Sequence, residues 1–267
     1  MAITTSAANG TTKMPVKTRE VQNHHMDSQV WNNLPLRSDD IVILTYGKSD
    51  TTWVQQIVGQ LTHQGDASLA PNLVSPWVDL RRFPKEVMHG MLAAQTHRRF
   101  MKSHLPLDAL VRNPDVKYIF IARDGRDMVW STHHHFTNAT PAFWHLINET
   151  PGRAGLPYQP PSSANPRDLL VDLVEDDSRG SLPWPFWSHT RQWWEARDQP
   201  NLLLVHFNDL KKDLAGEMRR IADFLEVPQM SEQQWADAVE HCTFQWMKEH
   251  AEMSSPPQAD QSITSAR

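Results

Sequence analysis

The chain has 267 residues, a formal net charge of −5 and one cysteine, Cys242. That length suits a single α/β domain with its own core. The mild acidity gives no general attraction to nucleic acid or an anionic membrane, and a lone cysteine excludes an intramolecular disulfide. No apolar run approaches the roughly 18–20 residues of a membrane span, and the N-terminus lacks the apolar core of a secretory signal. A reducing, cytoplasmic location is therefore expected.

In chain order, residues 1–28 are polar and without periodicity, which predicts a disordered lead-in. Ile41 to Tyr46 is an apolar run that predicts a strand. A short loop, Gly47-Lys48-Ser49-Asp50, separates it from a helix whose apolar positions Val54, Ile57, Val58 and Leu61 recur at helical spacing. Trp77 to Leu80 reads as a short extended piece, Glu86 to Thr96 as a helix, and Arg99 to His104 as a buried strand end. Asp108 to Arg112 reads as a helical turn. Val116 to Ala122 is β-branched, aromatic and almost wholly apolar, as a central parallel strand is. Asp124 to Phe136 follows as a helix.

Residues 137–185 are proline-rich and predict a lid-like insertion with one helix near Asp168 to Glu175. Helix is expected again from Pro185 to Arg197, then a strand from Asn201 to Phe207. Leu214 to Leu225 is an amphipathic helix, and Ser231 N-caps another that ends near His241. The tail, 251–267, is expected to be flexible. Alternating strands and helices argue for one domain over 29–250: a central parallel sheet with helices on both faces, of the P-loop-NTPase-like type. In such sheets ligands bind at the carboxyl ends of strands.

Four of the eleven tryptophans, Trp184, Trp187, Trp193 and Trp194, fall in one short stretch. Core packing is the default for them, and Trp184 and Trp187 are the better candidates for a ligand wall. His133-His134-His135 does not predict a metal site, because successive helical positions point about 100° apart.

The loop after the first strand opens a helix, and a helix N-terminus favours an anion. Lys48 adds a positive charge, and Ser49, Thr51 and Thr52 add hydroxyl donors. Gly47-Lys48-Ser49 looks like the end of a Walker loop, but Val42 stands where that motif requires its first glycine. The run Thr45-Tyr46-Gly47-Lys48-Ser49-Asp50-Thr51-Thr52-Trp53 instead resembles the phosphosulfate loop of the cytosolic-type sulfotransferases. Gly47 replaces the family's proline and Asp50 its glycine.

Four further segments resemble that family. Arg123 and Ser131 match the pair that holds the donor's 3′-phosphate. Lys102-Ser103-His104-Leu105-Pro106 resembles the segment with the catalytic histidine. His206-Phe207-Asn208-Asp209-Leu210-Lys211 carries Phe207 where the family has tyrosine. Cys242, Thr243, Phe244 and Met247 lie in a segment like the one that packs on the adenine. The family's late basic-glycine segment has no counterpart between Ala251 and Arg267.

The resemblance implies 3′-phosphoadenosine 5′-phosphosulfate (PAPS) as donor and no metal, with a hydroxyl or amine of a small molecule as acceptor. His104 would be the general base, with Lys48 and Lys102 stabilising charge and Trp53 flanking the adenine. The tryptophans hint at an apolar or aromatic acceptor, and a homodimer stays open. Two other readings compete. One is a catalytically degenerate nucleotide-binding relative. The other is a P-loop kinase, which would depend on magnesium.

Overall fold

The computed structural model describes residues 16–23, 25–149, 165–175 and 185–254. Its centre is one four-stranded parallel sheet in the order β2-β1-β3-β4. The strands are β1 (Ile41–Thr45), β2 (Phe100–Ser103), β3 (Lys117–Ala122) and β4 (Leu202–His206). β1 pairs with β2 from Ile41↔Phe100 to Leu44↔Ser103, and with β3 from Ile41↔Lys117 to Thr45↔Ile121. Each parallel pairing needs a crossover, and helices supply it.

The helices are α1 (Thr51–Thr62), α2 (Pro71–Val74), α3 (Lys85–Ala93), α4 (Gly125–Thr137), α5 (Pro141–Glu149), α6 (Pro166–Glu175), α7 (Phe186–Glu195), α8 (Phe207–Lys212), α9 (Leu214–Leu225), α10 (Glu232–Glu240), α11 (Phe244–Glu249) and α12 (Ala251–Ser254). Among the described residues, no helix is long and apolar enough to cross a membrane.

Side-chain alternation along β1 divides the core. Ile41 and Ile43 face a cluster with Val54, Ile57 and Leu61 of α1 and Met218, Ile221 and Leu225 of α9. Val42 and Leu44 face the other, with Met128 of α4, Leu169 and Leu173 of α6, and Trp193 of α7. All five β1 residues are buried, so the strand has no polar face to show. At the amino end of the sheet, Arg99 is buried against Asp40 and donates through Nε to Asp40 Oδ1 at 2.7 Å.

Several elements differ from the sequence reading. Of residues 1–28, those from 16 onward are described apart from position 24, and they pack on the fold. Val21 and Met26 are buried, and the backbone N–H groups of Thr18 and Arg19 both donate to Asp108 O. Two apolar anchors and the Arg19–Asp108 ion pair hold down a polar stretch. The insertion carries α5 as well as α6, and Leu169 and Leu173 of α6 join the main core. Phe207, expected to end a strand, opens α8. Residues 251–254 of the tail form α12. The N-cap expected at Ser231 forms as a reciprocal capping box with Gln234. Trp193 is buried, Trp187 and Trp194 are exposed, and Trp184 lies outside the described residues.

Candidate active site

The loop between β1 and α1 lies at the carboxyl edge of the sheet, where β2 and β3 also end. Lys48 and Asp50 both adopt the left-handed backbone region, at φ 63° and φ 65°. These turns bring the chain sharply from the strand into the helix. The N–H groups of Trp53 and Val54 donate to Asp50 O, and those of Thr51 and Thr52, which have no acceptor within the helix, are left for the loop. Ser49 Oγ is buried and has no hydrogen-bond partner among the described residues. A buried, unpartnered hydroxyl beside open helix N–H groups and a lysine fits an anionic group of the 5′-phosphosulfate kind.

His104 follows β2 and reaches this loop. Its Nδ1 lies 3.0 Å from Thr45 O and 2.8 Å from Thr45 Oγ1. A carbonyl only accepts, so Nδ1 carries the proton and Nε2 keeps its lone pair. Thr45 Oγ1 then accepts from Nδ1 and donates to Thr51 Oγ1, 2.7 Å away. The Thr51 hydroxyl hydrogen is left to point into the loop. One chain of polar contacts thus links the histidine to the anion loop.

Burial pushes His104 down to about 3, with Lys102 contributing, so the imidazole is neutral at ordinary pH. The Trp77 ring stands edge-on to it at 4.5 Å between centroids, and His189 Nε2 lies 3.2 Å from His104 O. Burial also lowers Lys102 to about 8, against the opposing charge of Asp79. Lys48 is exposed at the loop mouth, yet the protein around its ammonium lowers its pKa by desolvation; Asp50 opposes this and Arg123 adds to it. We read the exposed side as the approach of a ligand and the direction of the shift as the cost of the dense side.

Arg123 follows β3 and its guanidinium lies over the Phe207 ring at 4.5 Å. Its Nη1 is 3.0 Å from Asp50 Oδ2. The Phe207 ring also meets Trp53 edge-on at 5.7 Å, and Trp53 Nε1 donates to Cys242 O at 2.8 Å. Loop, α8 and the α10–α11 junction therefore meet at one place. Thr243 caps α11 by accepting from Trp246 N, Met247 is half-buried, and Phe244 is 79% exposed. Cys242 is buried and its thiol is raised well above the ordinary value by burial, which suits packing and not nucleophilic attack. Ser131 is half-buried on α4.

Sequence reasoning missed Thr45 as the link to His104. It also missed Trp77 and His189 around that histidine, and Asp79 near Lys102. No motif marks Trp77, Asp79 or His189, and the first two are brought in by pairing: Val78 N donates to Lys102 O at 3.1 Å and Lys102 N to Pro76 O at 3.0 Å. His135 was singled out only with its neighbours. Burial pushes it to about 4 and Lys48 adds to the shift, so it belongs near the loop mouth. No group of three His, Cys, Asp or Glu among the described residues is arranged to hold a metal.

These histidines set an acid limit. In the unfolded chain they gain a proton near 6.5, but His104 does so in the fold at about 3, and His135 and His189 at about 4. The unfolded state therefore binds more protons below pH 6.5, and stability falls as pH drops toward the folded values. Asp79 runs the other way, since burial raises it from 3.8 to about 6. The net is about two protons, or roughly 2–3 kcal/mol per pH unit between pH 6 and 4. Urea denaturation at pH 7, 6 and 5 should give this decline; a flat profile would mean the histidines are not held neutral.

A parallel α/β sheet with an anion loop at its carboxyl edge and a neutral histidine tied to that loop defines a group-transfer enzyme acting on an anionic donor. The sequence pattern of the family described as "Sulfotransferase domain" matches residues 38–264. The glycolipid sulfotransferase of Mycobacterium bovis is 31% identical over 258 residues, covering 88% of this chain and 77% of its own. Human sulfotransferase 1E1 is 29% identical over 82% of this chain and 70% of its own. Retinol dehydratase, solved with retinol and 3′-phosphoadenosine 5′-phosphate (PAP), shares 25% identity over 84% of this chain and 72% of its own, with a TM-score of 0.63. Mouse sulfotransferase SULT7A1, solved with PAP, has the same fold with a TM-score of 0.66 at 20% identity, over 90% of this chain and 76% of its own. The chain belongs to the sulfotransferase family, and it is a PAPS-dependent transferase.

Proposed function

We propose that the protein transfers a sulfonyl group to a hydroxyl of a small apolar acceptor, with His104 as general base. The reading rests on the Thr45 contact to His104 Nδ1, which leaves Nε2 unprotonated on a residue tied to the donor loop. A glycolipid and retinol in the names of relatives support an apolar acceptor, and an amine is the other acceptor the chemistry admits.

When bound, the donor supplies a sulfonyl group joined to a phosphate that leaves readily. Ser49, Thr51, Thr52 and the N-terminus of α1 hold the 5′-phosphate. Arg123 and Ser131 lie on the side of the 3′-phosphate. Trp53, Phe207, Cys242, Thr243, Phe244 and Met247 flank the adenine. His104 Nε2 accepts the acceptor's proton. Lys48 and Lys102 stay charged and neutralise the oxygen on which charge develops, so that no metal is needed.

The test is transfer of labelled sulfonate from PAPS to a panel of apolar alcohols and amines, without magnesium. Transfer to an alcohol is the expected result. PAPS binding without transfer to any member would favour a catalytically degenerate protein, and the ion pair between Asp50 and Arg123 is the feature on which that reading would rest.

A further inference from the structure

We propose that Asp50 sets donor selectivity: its carboxylate occupies Arg123 as an internal anion, so a 3′-phosphate on the nucleotide adds little to binding. The inference rests on the donor-site reading above, in which Arg123 meets that phosphate.

Asp50 is the N-cap residue of α1, and an N-cap aspartate normally accepts a hydrogen bond from the first turn of its helix. Asp124, Asp213, Ser231 and Thr243 all do so on their own helices. Asp50 makes no such bond. Its backbone is left-handed at φ 65° and ψ 34°, and its carboxylate turns instead to Arg123 Nη1 at 3.0 Å. Both side chains are largely enclosed, at 23% and 18% exposure, so the pair is better shielded than a surface salt bridge.

The charge of Arg123 is already partly neutralised, although its Nε edge stays open. One face of its guanidinium covers the Phe207 ring at 4.5 Å. Nη1, already facing Asp50, also donates to Lys48 O at 3.4 Å. Nε lies 4.0 Å from Asp127 Oδ2 and makes no hydrogen bond. A dianionic phosphate taking the open Nε edge must stand beside the Asp50 carboxylate on Nη1 and near Asp127, like charges in a partly dry place. The other end of the site differs. Lys48 and Lys102 form no ion pair among the described residues, and the N-terminus of α1 adds its dipole. Affinity therefore resides at the 5′ end.

The test is calorimetric titration of the full chain with PAP and, separately, with adenosine 5′-monophosphate, which lacks the 3′-phosphate. Wild type is compared with Asp50→Asn and Asp50→Gly. Asparagine and glycine both tolerate the left-handed backbone, so neither change strains the loop. Wild type should bind the two nucleotides within about tenfold of each other. Each variant should raise the preference for PAP by at least about tenfold, the size of one freed charge-assisted contact. A wild-type preference of about a hundredfold, or a ratio unchanged by Asp50→Asn, would overturn the inference and leave the donor site standing. Failure of all three folded proteins to bind either nucleotide would overturn the donor-site reading, and the inference with it.

Discussion

His104→Ala is expected to lower kcat by about 10²–10⁴ while leaving donor affinity near that of wild type. On the proposed mechanism the imidazole takes a proton from the acceptor and has no part in holding the nucleotide. Its tautomer is set by the carbonyl of Thr45, 3.0 Å from Nδ1, so the vacant nitrogen is Nε2. Burial keeps the ring neutral, with a pKa of about 3, and a base so far below neutrality would be weak if it stayed there. An anionic sulfonate arriving beside it favours the imidazolium and raises the value toward the working range. The charge of Lys102, which lowers it now, is offset by the same anion. Single-turnover transfer from PAPS to an accepted alcohol is the measurement. Wild-type turnover by His104→Ala would remove His104 as the base. His104→Gln, which keeps a side-chain amide to meet Thr45, should be as slow as alanine, because geometry without basicity moves no proton.

Lys48→Met should lower kcat by about 10²–10³, the effect of losing one electrostatic donor aimed at developing charge. Methionine keeps the length of the stem, and the left-handed backbone at φ 63° is a strain that both residues bear. The change is therefore mainly one of charge. Desolvation lowers the lysine pKa in the free protein, while the side chain stays exposed at the loop mouth and open to the donor. Lys48→Arg should not restore the rate, since a planar fork cannot take the place of a compact ammonium in so tight a turn. The split of kcat from KM decides the role. A raised KM with kcat unchanged would make Lys48 a uniform binder of donor and transition state alike, and its place in the chemistry would fall.

The layered α/β architecture was legible because it follows from local pattern. The apolar runs at β1, β3 and β4 and the 3.6-residue spacing in α1 and α9 are written in consecutive residues, and burial enforces them. The anion loop was legible for a similar reason, since Lys48, Ser49, Thr51 and Thr52 are neighbours in the chain. Elements with a weak local signal were not. α5 falls in a proline-rich stretch, and the packing of residues 16–31 depends on Met26 and Trp31 finding a core built by residues far along the chain.

The sequence by itself determined which groups the carboxyl edge of the sheet would carry: a lysine loop after β1, a histidine after β2 and an arginine after β3. Strand order and register then decided what those groups do to one another. Pairing Leu44 with Ser103 carries Thr45 beside His104, which sets the histidine's tautomer. Pairing Thr45 with Ile121 carries the loop beside Arg123, and there the Asp50 carboxylate meets a guanidinium 73 positions away in the chain. Spacing along one chain holds no information on such meetings, because they arise from hydrogen bonds between strands that the sequence separates.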